Sequence, residues 1–388
     1  MKKKVLIIFM FLVLAYGLGP WTCDVFCAWT TNVVDSSIDT ARMSMGIDSN
    51  GYVRLSYTDL DGGLRHASFN GSGWDVQIVD SVSALSSIEI DDNGYSKISY
   101  GDGMNEVLKY ASFNGTGWDI QVVDSTNTGT YTSLQLDSNG YGHISYESYT
   151  VYDLKYAAFN GSGWDVQTID TANTMGYFTS IDLDTDGYAH ISYSDYTNRD
   201  LKYAQYNGTG WDIVTVDSVG SVGDYTSIFI DSGGNTHISY QDVSNGDLKY
   251  AVFNGTGWTV QTVDTAGQTG YFTSLGVDSN GHVYISYGEY NTASLMLAYF
   301  NGTGWETQTL LSGISGYAGS PTDTSLALYN DYVYITFANS SGDLTVLTNA
   351  PQGFVDEPSL NILALIIFVF IIVHGRWSMG DRIEKRYE

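Results

Sequence analysis

The sequence predicts an all-β fold, a seven-bladed β-propeller with four-stranded blades, in which the N-terminal strand closes the last blade. Three observations predict it: a pentapeptide repeat, four β-rich runs in each repeat unit, and complementary partial units at the two ends. The pentapeptide Asn-Gly-Ser/Thr-Gly-Trp occurs six times, with successive copies 44, 46, 47, 47 and 47 residues apart. The copies begin at Asn70, Asn114, Asn160, Asn207, Asn254 and Asn301. A period of about 40 to 50 residues that contains four strands is typical of a propeller blade.

The third repeat illustrates the order of elements within a unit. Its β-rich runs are Thr132–Asp137, Tyr141–Glu147, Asp153–Phe159 and Trp164–Ile169. Asn-Gly pairs separate the first run from the second and the third from the fourth, and they favour tight hairpins because type I′ turns need positive φ. A composition with 43 Gly, 31 Tyr and only 4 Pro fits many short strands joined by tight turns.

The blade count follows from the two ends of the repeat region. A degenerate seventh unit contains Thr324–Leu328, Tyr332–Phe337 and Asp343–Leu347, and it stops after three strands. Ala28–Asp35 precedes the first unit and matches a fourth strand such as Gly257–Asp264. We therefore expect the N-terminal strand to complete the seventh blade. A linear solenoid is the alternative, but it would need no such complementary strands.

Residues 1–28 are predicted to be a signal peptide. Lys2, Lys3 and Lys4 precede the apolar run Val5–Ala15, and a basic stretch followed by a short apolar run is typical of export signals. The cleavage site is open between Ala15-x-Gly17 and Val25-x-Cys27. The only two cysteines, Cys23 and Cys27, fall in this segment, so the sequence predicts no disulfide framework.

The other end of the chain is predicted to hold a membrane anchor. After the propeller, residues 29–349, we expect a linker at 350–358, a transmembrane helix at 359–375 and a basic cytoplasmic tail at 376–388. The apolar run Leu360–Val373 is shorter than a hydrocarbon core of about 30 Å requires at about 1.5 Å per residue, although His374 and Trp377 could extend it. A buried core helix is the alternative. The basic tail would place the repeats outside the cell.

Charge and motifs exclude several functions. The net charge is −27, and seven of the sixteen basic residues lie in the two terminal segments, so the acidic body is expected to repel nucleic acid. The sequence contains no nucleophile elbow, metalloprotease helix motif or phosphate-binding loop. Three arginines fall in the first blade and Arg199 stands alone in the fourth, without the arginine cluster of a sialidase-like site. These features favour a protein that is not an enzyme.

The candidate binding face is the one that carries the long, variable loops between the second and third strands of each blade. Each loop has a carboxylate at or next to one position: Asp59, Asp102, Glu147, Asp195, Asp242 and Glu289. Aromatic residues follow at Tyr149, Tyr196 and Tyr290. Carboxylates accept hydrogen bonds from hydroxyls, and aromatic faces pack on sugar C–H surfaces, so this pattern suits carbohydrate. The alternative is that each carboxylate caps its own turn.

Other repeated residues invite metal hypotheses. His143, His190 and His237 share one strand position, but adjacent blades are about 10 Å apart, too far for one zinc ion, so we expect packing between blades with a hydrogen bond. Asp182, Asp184 and Asp186 resemble the start of a calcium loop, although Tyr193 stands where its bidentate Glu belongs. Calcium there is the alternative to an ordinary turn, and no other cofactor is expected. The repeated Trp residues, and the Asn residues that also match the glycosylation sequon, are expected to pack the core and form turns.

The repeat consensus Asp-Ser-Asn-Gly-Tyr, His-Ile-Ser-Tyr, Asp-Leu-Lys-Tyr-Ala and Asn-Gly-Ser-Gly-Trp-Asp resembles secreted and surface propellers of bacteria and archaea, near sialidase-like and lectin-like propellers. The resemblance covers residues 29 to about 349. Asp356-Glu357-Pro358, the apolar run and the basic tail resemble sorting segments cleaved by exosortase-type and archaeosortase-type enzymes, without the usual first Pro.

The resemblance is specific for the fold and indicates little about the ligand, because propellers support unrelated functions. From the two terminal segments we expect an exported protein anchored in the cell membrane with the propeller outside. There it would be a lectin-like or adhesive module that recognises surface glycans or envelope proteins. Two alternatives stay open: a structural envelope protein without a small ligand, and a glycan-active, sialidase-like hydrolase.

Overall fold

The computed structural model describes residues 29–36, 38–82, 85–126, 129–149, 151–172, 174–314 and 323–350, and for residues 38–42 it describes the backbone only. This part of the chain forms 28 strands in seven four-stranded sheets. The seven-bladed propeller that the repeats predict is thereby confirmed. In the described ranges no helix has the length and apolar character needed to cross a bilayer. The predicted signal peptide, transmembrane helix and basic tail lie outside the described residues.

The strands follow one another from the channel outward in each blade, and neighbouring strands within a sheet are antiparallel. Blades 1 to 3 contain β2 (Ile38–Ile47), β3 (Val53–Asp59), β4 (Leu64–Phe69), β5 (Trp74–Asp80), β6 (Ser86–Ile90), β7 (Ser96–Asp102), β8 (Val107–Phe113), β9 (Trp118–Asp124), β10 (Gly129–Leu136), β11 (Gly142–Ser148), β12 (Leu154–Phe159) and β13 (Trp164–Asp170). Blades 4 to 6 contain β14 (Tyr177–Leu183), β15 (Ala189–Asp195), β16 (Asp200–Tyr206), β17 (Trp211–Asp217), β18 (Val222–Ile230), β19 (Thr236–Asp242), β20 (Asp247–Phe253), β21 (Trp258–Asp264), β22 (Tyr271–Val277), β23 (Val283–Glu289), β24 (Ser294–Phe300) and β25 (Trp305–Leu311). Blade 7 contains β26 (Ser325–Tyr329), β27 (Tyr332–Ala338), β28 (Leu344–Thr348) and, as its outer strand, β1 (Thr30–Asp35).

Closure of the ring by the N-terminal strand is confirmed. β1 pairs antiparallel with β28, and Thr30 lies opposite Thr348. The same strand also contacts blade 1, because Asn32 accepts a 2.9 Å hydrogen bond from the indole of Trp74 and Asp35 accepts one of 2.6 Å from the hydroxyl of Tyr57. The first residues of the propeller therefore connect its last blade to its first, and a linear solenoid is excluded.

A ring of seven serines lines the inner strands. The Oγ of each serine accepts a hydrogen bond of 2.9 to 3.2 Å from a backbone N–H of the inner strand of the next blade. The serines are Ser44, Ser87, Ser133, Ser180, Ser227, Ser274 and Ser325. The innermost strand of each blade is the edge of its sheet, so the N–H groups on its free side have no partner strand and need other acceptors. The bond from Met45 to Ser325 closes the ring between blades 1 and 7.

Aromatic side chains fill the space between blades. The indoles at the start of the outer strands of blades 2 to 6 each meet a ring of the third strand in the preceding blade, as Trp211 does with Tyr156 at a centroid distance of 5.1 Å. Trp74 of blade 1 packs instead in a hydrophobic cluster with Leu344 and Val346 of blade 7. This is the core packing predicted for the repeated Trp residues. The three aligned histidines bond within their own blade, because His190 Nδ1 lies 2.5 Å from the hydroxyl of Tyr203 on the neighbouring strand β16. The expected hydrogen bond is present, but it joins strands of one sheet and not two blades.

The six Asn-Gly turns form as the sequence predicts. In each, Asn Oδ1 accepts hydrogen bonds from the backbone N–H groups two and three residues on, as Asn160 does from Ser162 and Gly163 at 3.0 and 3.1 Å. The Ser162 hydroxyl donates to the same oxygen at 2.7 Å. The turn chemistry therefore accounts for the Ser/Thr of the repeat.

Candidate functional site

The predicted carboxylates lie on the variable-loop face, and they are buried, with exposed fractions between 0 and 8%. Asp195 shows their usual role. Its two oxygens accept hydrogen bonds from the backbone N–H and the side-chain amide of Asn198 at 2.9 and 2.8 Å. Asp242 makes the same pair of contacts with Asn245 at 3.1 and 2.9 Å. These carboxylates cap their own turns, and contact of either one with a ligand remains a prediction.

Three further carboxylates also stabilise their loops. Asp59 accepts from the Arg65 side chain at 2.5 Å and from the Gly63 N–H at 2.7 Å. Glu289 accepts from the backbone N–H groups of Asn291 and Thr292, both at 2.8 Å. Asp102 is fully buried between the Asn105 amide and the Lys109 ammonium. Burial alone would raise the pKa of Asp102, but the hydrogen bonds from Lys109 and Asn105 outweigh it and hold the pKa below its ordinary value.

Glu147 differs from the other five carboxylates. It comes one position earlier in its loop, so its side chain points to the other face of the strand and lies opposite Thr130 of the inner strand. The Thr130 hydroxyl donates a 2.6 Å hydrogen bond to Oε2, while the buried Oε1 has no partner among the described residues. Burial raises the pKa of Glu147 to about 7. Blade 3 therefore departs from the other repeats, because its loop carboxyl, Glu147, is buried and has only one hydrogen-bond partner among the described residues.

The predicted aromatics extend into a larger set, which we call the aromatic ledge: Tyr149, Tyr152, Tyr177 and Tyr196. Tyr196 stacks on Tyr177 at a centroid distance of 4.9 Å, and Tyr177 stacks on Tyr152 at 6.4 Å, both with an interplanar angle of 22°. Tyr149 is 53% exposed and Tyr196 is 40% exposed. The ledge crosses the junction between blades 3 and 4 and presents aromatic surface to solvent.

Sequence reasoning missed Tyr152 and Tyr177, and it placed Tyr290 correctly on the same face. Tyr290 is 43% exposed and meets Tyr271 at 5.7 Å in blade 6. Tyr177 and Tyr271 both precede a Phe-Thr-Ser sequence at the start of an inner strand. That repeated Tyr-Phe-Thr-Ser could have marked them as aromatics at the same end of the blades.

Four aromatic residues surround the mouth of the central channel, and we call them the aromatic collar: Tyr131, Phe178, Tyr225 and Phe272. Their φ angles lie between 48° and 56°, a left-handed conformation that bulky residues rarely adopt. Successive rings are 4.8, 4.4 and 4.5 Å apart. The collar lines a cavity of about 210 Å³.

Hydroxyl groups hold the collar in place. The Thr226 hydroxyl donates to the Phe178 carbonyl at 3.1 Å, and the Thr273 hydroxyl donates to the Tyr225 carbonyl at 2.7 Å. A threonine hydroxyl has one hydrogen, so Ser192 must donate in its 2.6 Å bond to Thr226. Backbone strain that the surroundings maintain in this way is often found at functional sites.

Polar side chains converge further down the channel, in a cavity of about 410 Å³. Glu89, Gln135 and Asp182 occupy equivalent positions on three adjacent inner strands. Asp182 accepts hydrogen bonds from the Gln135 amide at 2.8 Å and the Ile230 N–H at 2.6 Å. Burial, with a smaller contribution from the charge of Asp182, raises the pKa of Glu89 to about 8. The sequence analysis considered Asp182 only as part of a calcium loop and missed this pair of carboxyls.

The three aspartates of the calcium alternative do not converge. Asp182 faces the channel, whereas Asp184 accepts from the backbone N–H groups of Asp186 and Tyr188 at 3.0 and 2.9 Å and forms the turn. Among the described residues no three His, Cys, Asp or Glu side chains are grouped so that they could hold a metal ion. Calcium binding at Asp182, Asp184 and Asp186 stays a prediction.

Comparisons with known proteins support the fold and identify similar structures. No protein-family model matches the chain, and no curated protein matches it in sequence. The BP39L lectin from Burkholderia pseudomallei is similar in structure, with a TM-score of 0.66 and 13% identity over 81% of this chain and 99% of the lectin. A variant of the Aleuria aurantia lectin in complex with Fucα1-6GlcNAc has a TM-score of 0.52 and 14% identity, covering 71% of this chain and 96% of the lectin.

A third similar structure has a different kind of ligand. YCF48 bound to D1 peptide has a TM-score of 0.55 and 12% identity, covering 85% of this chain and 97% of that one. At these identities the likeness establishes the propeller fold, and propellers support unrelated functions. Function must therefore be argued from the variable-loop face itself.

Proposed function

We propose that this protein is a lectin-like propeller that binds glycans on the aromatic ledge. The observation that carries the proposal is the stack of Tyr152, Tyr177 and Tyr196 on the variable-loop face, with half-exposed rings at its surface. Tyrosine offers a rigid apolar face for the C–H groups of a sugar and a hydroxyl for hydrogen bonds. The similarity to two lectins supports the proposal at the level of the fold.

The capped loops beneath the ledge support binding in a second way. Asp195 fixes the loop that carries Tyr196, and the Tyr152 carbonyl accepts a 2.6 Å hydrogen bond from the Met175 N–H of the next blade. A platform that is ordered before the ligand arrives loses little conformational entropy on binding. The buried carboxylates thereby contribute to the site by positioning the aromatics.

We further propose that the propeller is exported and held at the membrane by residues 359–375, where it meets glycans or envelope proteins of the cell surface. The basic tail supports this orientation. Protease added to intact cells should then digest the propeller and leave the segment after Arg376 intact. A propeller that survives until the cells are lysed would contradict this location.

The test of the binding proposal is a glycan array probed with the purified protein and three variants. Tyr149→Ala and Tyr196→Ala should each weaken glycan retention by about tenfold, in line with the loss of an aromatic contact. Tyr188→Ala is the matched control, because Tyr188 is 38% exposed and immediately precedes β15, whereas Tyr196 immediately follows it at the other end of the blade. No retained glycan would contradict the proposal and favour a structural role, and release of a cleaved sugar would favour a hydrolase.

A further inference from the structure

Arg199 lies at the edge of the aromatic ledge, at the end of the loop between β15 and β16. Its guanidinium carbon is 4.0 Å from the centroid of the Tyr196 ring, and its side chain is exposed. A cation over an aromatic face is attracted by the ring quadrupole. The ledge therefore has a positive charge fixed at one end.

Arg199 also differs from the other cations of the propeller. Seven other lysine and arginine side chains are described, and each forms an ion pair with an aspartate: Arg54, Arg65, Lys97, Lys109, Lys155, Lys202 and Lys249. Within the described ranges Arg199 has no carboxylate within 4.0 Å. The nearby carboxyl is Asp224, which is too far from Arg199 for an ion pair. Burial raises the pKa of Asp224, and the positive charge of Arg199 partly offsets that rise.

The backbone at Arg199 adds a second observation. Its φ is 64°, and the equivalent loop residues of the other blades share this left-handed conformation, with glycine at Gly62 and Gly246 and side chains at Glu106, Tyr152 and Ala293. The Arg199 carbonyl accepts a 3.0 Å hydrogen bond from the Val222 N–H of the next blade, and its own N–H donates to the Asp195 carbonyl at 2.7 Å. These bonds fix the left-handed conformation. The Arg199 backbone is therefore held both within its own loop and by the next blade, so its side chain leaves the loop from a defined position beside Tyr196.

We propose that Arg199 makes the aromatic ledge selective for acidic glycans by binding a sugar carboxylate while the sugar packs against the tyrosines. This inference rests on the proposed function and adds the class of ligand. Guanidinium is suited to the role because its planar donors match the two oxygens of a carboxylate. In a chain with a net charge of −27, an unpaired cation on the binding face is the group that distinguishes an acidic glycan from a neutral one.

The test uses matched pairs of glycans: uronic-acid oligosaccharides and the same oligosaccharides after their carboxyls are reduced to primary alcohols. The wild-type protein should bind the acidic member of a pair about tenfold more tightly than the reduced member, as expected for a hydrogen-bonded charge. Arg199→Gln should abolish that difference and leave binding of the reduced member unchanged. Asp224→Asn removes the competing negative charge and should increase the preference for the acidic member.

The outcomes separate this inference from the proposed function. Equal binding of both members, or an acidic preference that survives Arg199→Gln, would overturn selectivity by Arg199 and leave glycan binding by the ledge intact. Binding to no glycan at all would overturn both. Thermal unfolding of Arg199→Gln and Asp224→Asn serves as the folding control. Neither substitution removes a described ion pair, so both variants should melt close to the wild type.

Discussion

The hydroxyl of Tyr193 donates a 2.7 Å hydrogen bond to the carboxylate of Asp170, and this bond joins blade 4 to blade 3. The Lys202 ammonium binds the same carboxylate oxygen. Corresponding tyrosines bind the aspartate that ends the preceding outer strand at every junction from Asp35 to Asp264. The junction between blades 6 and 7 replaces all three groups, with Leu311, Phe337 and Thr345 at the equivalent positions.

That natural replacement predicts how the junction between blades 3 and 4 responds to substitution. Asp170→Leu should lower the free energy of unfolding by about 3 kcal/mol, since it leaves the partly buried ammonium of Lys202 and the buried hydroxyl of Tyr193 without their acceptor. The triple variant Asp170→Leu, Tyr193→Phe, Lys202→Thr copies blades 6 and 7 and should regain most of the loss. Denaturant unfolding measures both, with the exposed Asp165→Leu on the same strand as control. A triple variant no more stable than Asp170→Leu would contradict the compensation.

Closure by β1 predicts a large effect of a small deletion. Removal of residues 29–35 exposes the edge of β28 and removes Asn32 and Asp35, which accept hydrogen bonds from Trp74 and Tyr57. We expect the melting temperature to fall by roughly 10 °C or more, because a loss of several kcal/mol corresponds to such a shift in a domain of this size. The comparison is a protein that lacks residues 1–28 only. Equal melting temperatures would show that the ring does not depend on β1.

The turn at Asp195 predicts a separation of stability from binding. Asp195→Ala removes the buried carboxylate that accepts two hydrogen bonds from Asn198, and at about 0.5 to 1.5 kcal/mol for each bond it should cost about 1 to 3 kcal/mol. The exposed Asp186→Ala should change stability by less than about 0.5 kcal/mol. Tyr196→Ala should show the reverse pattern, with weak binding and near-normal melting. Measuring melting and glycan retention on all three variants tests this. Normal stability of Asp195→Ala would mean that its cap is unimportant.

Glu89 predicts a dependence of stability on pH. The folded state raises its pKa from 4.5 to about 8, so the folded protein holds a proton that the unfolded chain releases between those values. The stability contributed by protonated Glu89 is therefore present below about pH 4.5 and is lost as the pH rises to about 8. Glu89→Gln stays neutral and should gain stability relative to the wild type over that range. Melting curves from pH 5 to 9 measure the difference in stability between the two proteins. A difference that does not change with pH would show that the pKa of Glu89 is not raised in the folded state.

Much of the fold could be predicted from the sequence because its signals are local. The Asn-Gly turns, the alternating strands and the 47-residue period identify a blade within a short stretch of chain, and the leftover strand at Trp29–Asp35 identifies the closure. Asp195 and the equivalent carboxylates lie at the loops between second and third strands that the sequence indicates, and turn capping and ligand contact were both open roles for them. The sequence pattern alone could not choose between those two roles, since both need a carboxylate at the start of the loop.

Only the tertiary structure decided which distant side chains meet. Tyr177 stacks on Tyr196, and Arg199 lies on the same ring with no ion-pair partner among the described residues. Glu89 and Asp182, from inner strands two blades apart, both line the channel. The partners of such groups lie up to two blades away, because radial closure brings equivalent positions of different repeats to one axis. A repeat sequence determines the blade, but the positions where repeats differ acquire their chemistry only when the ring places them side by side.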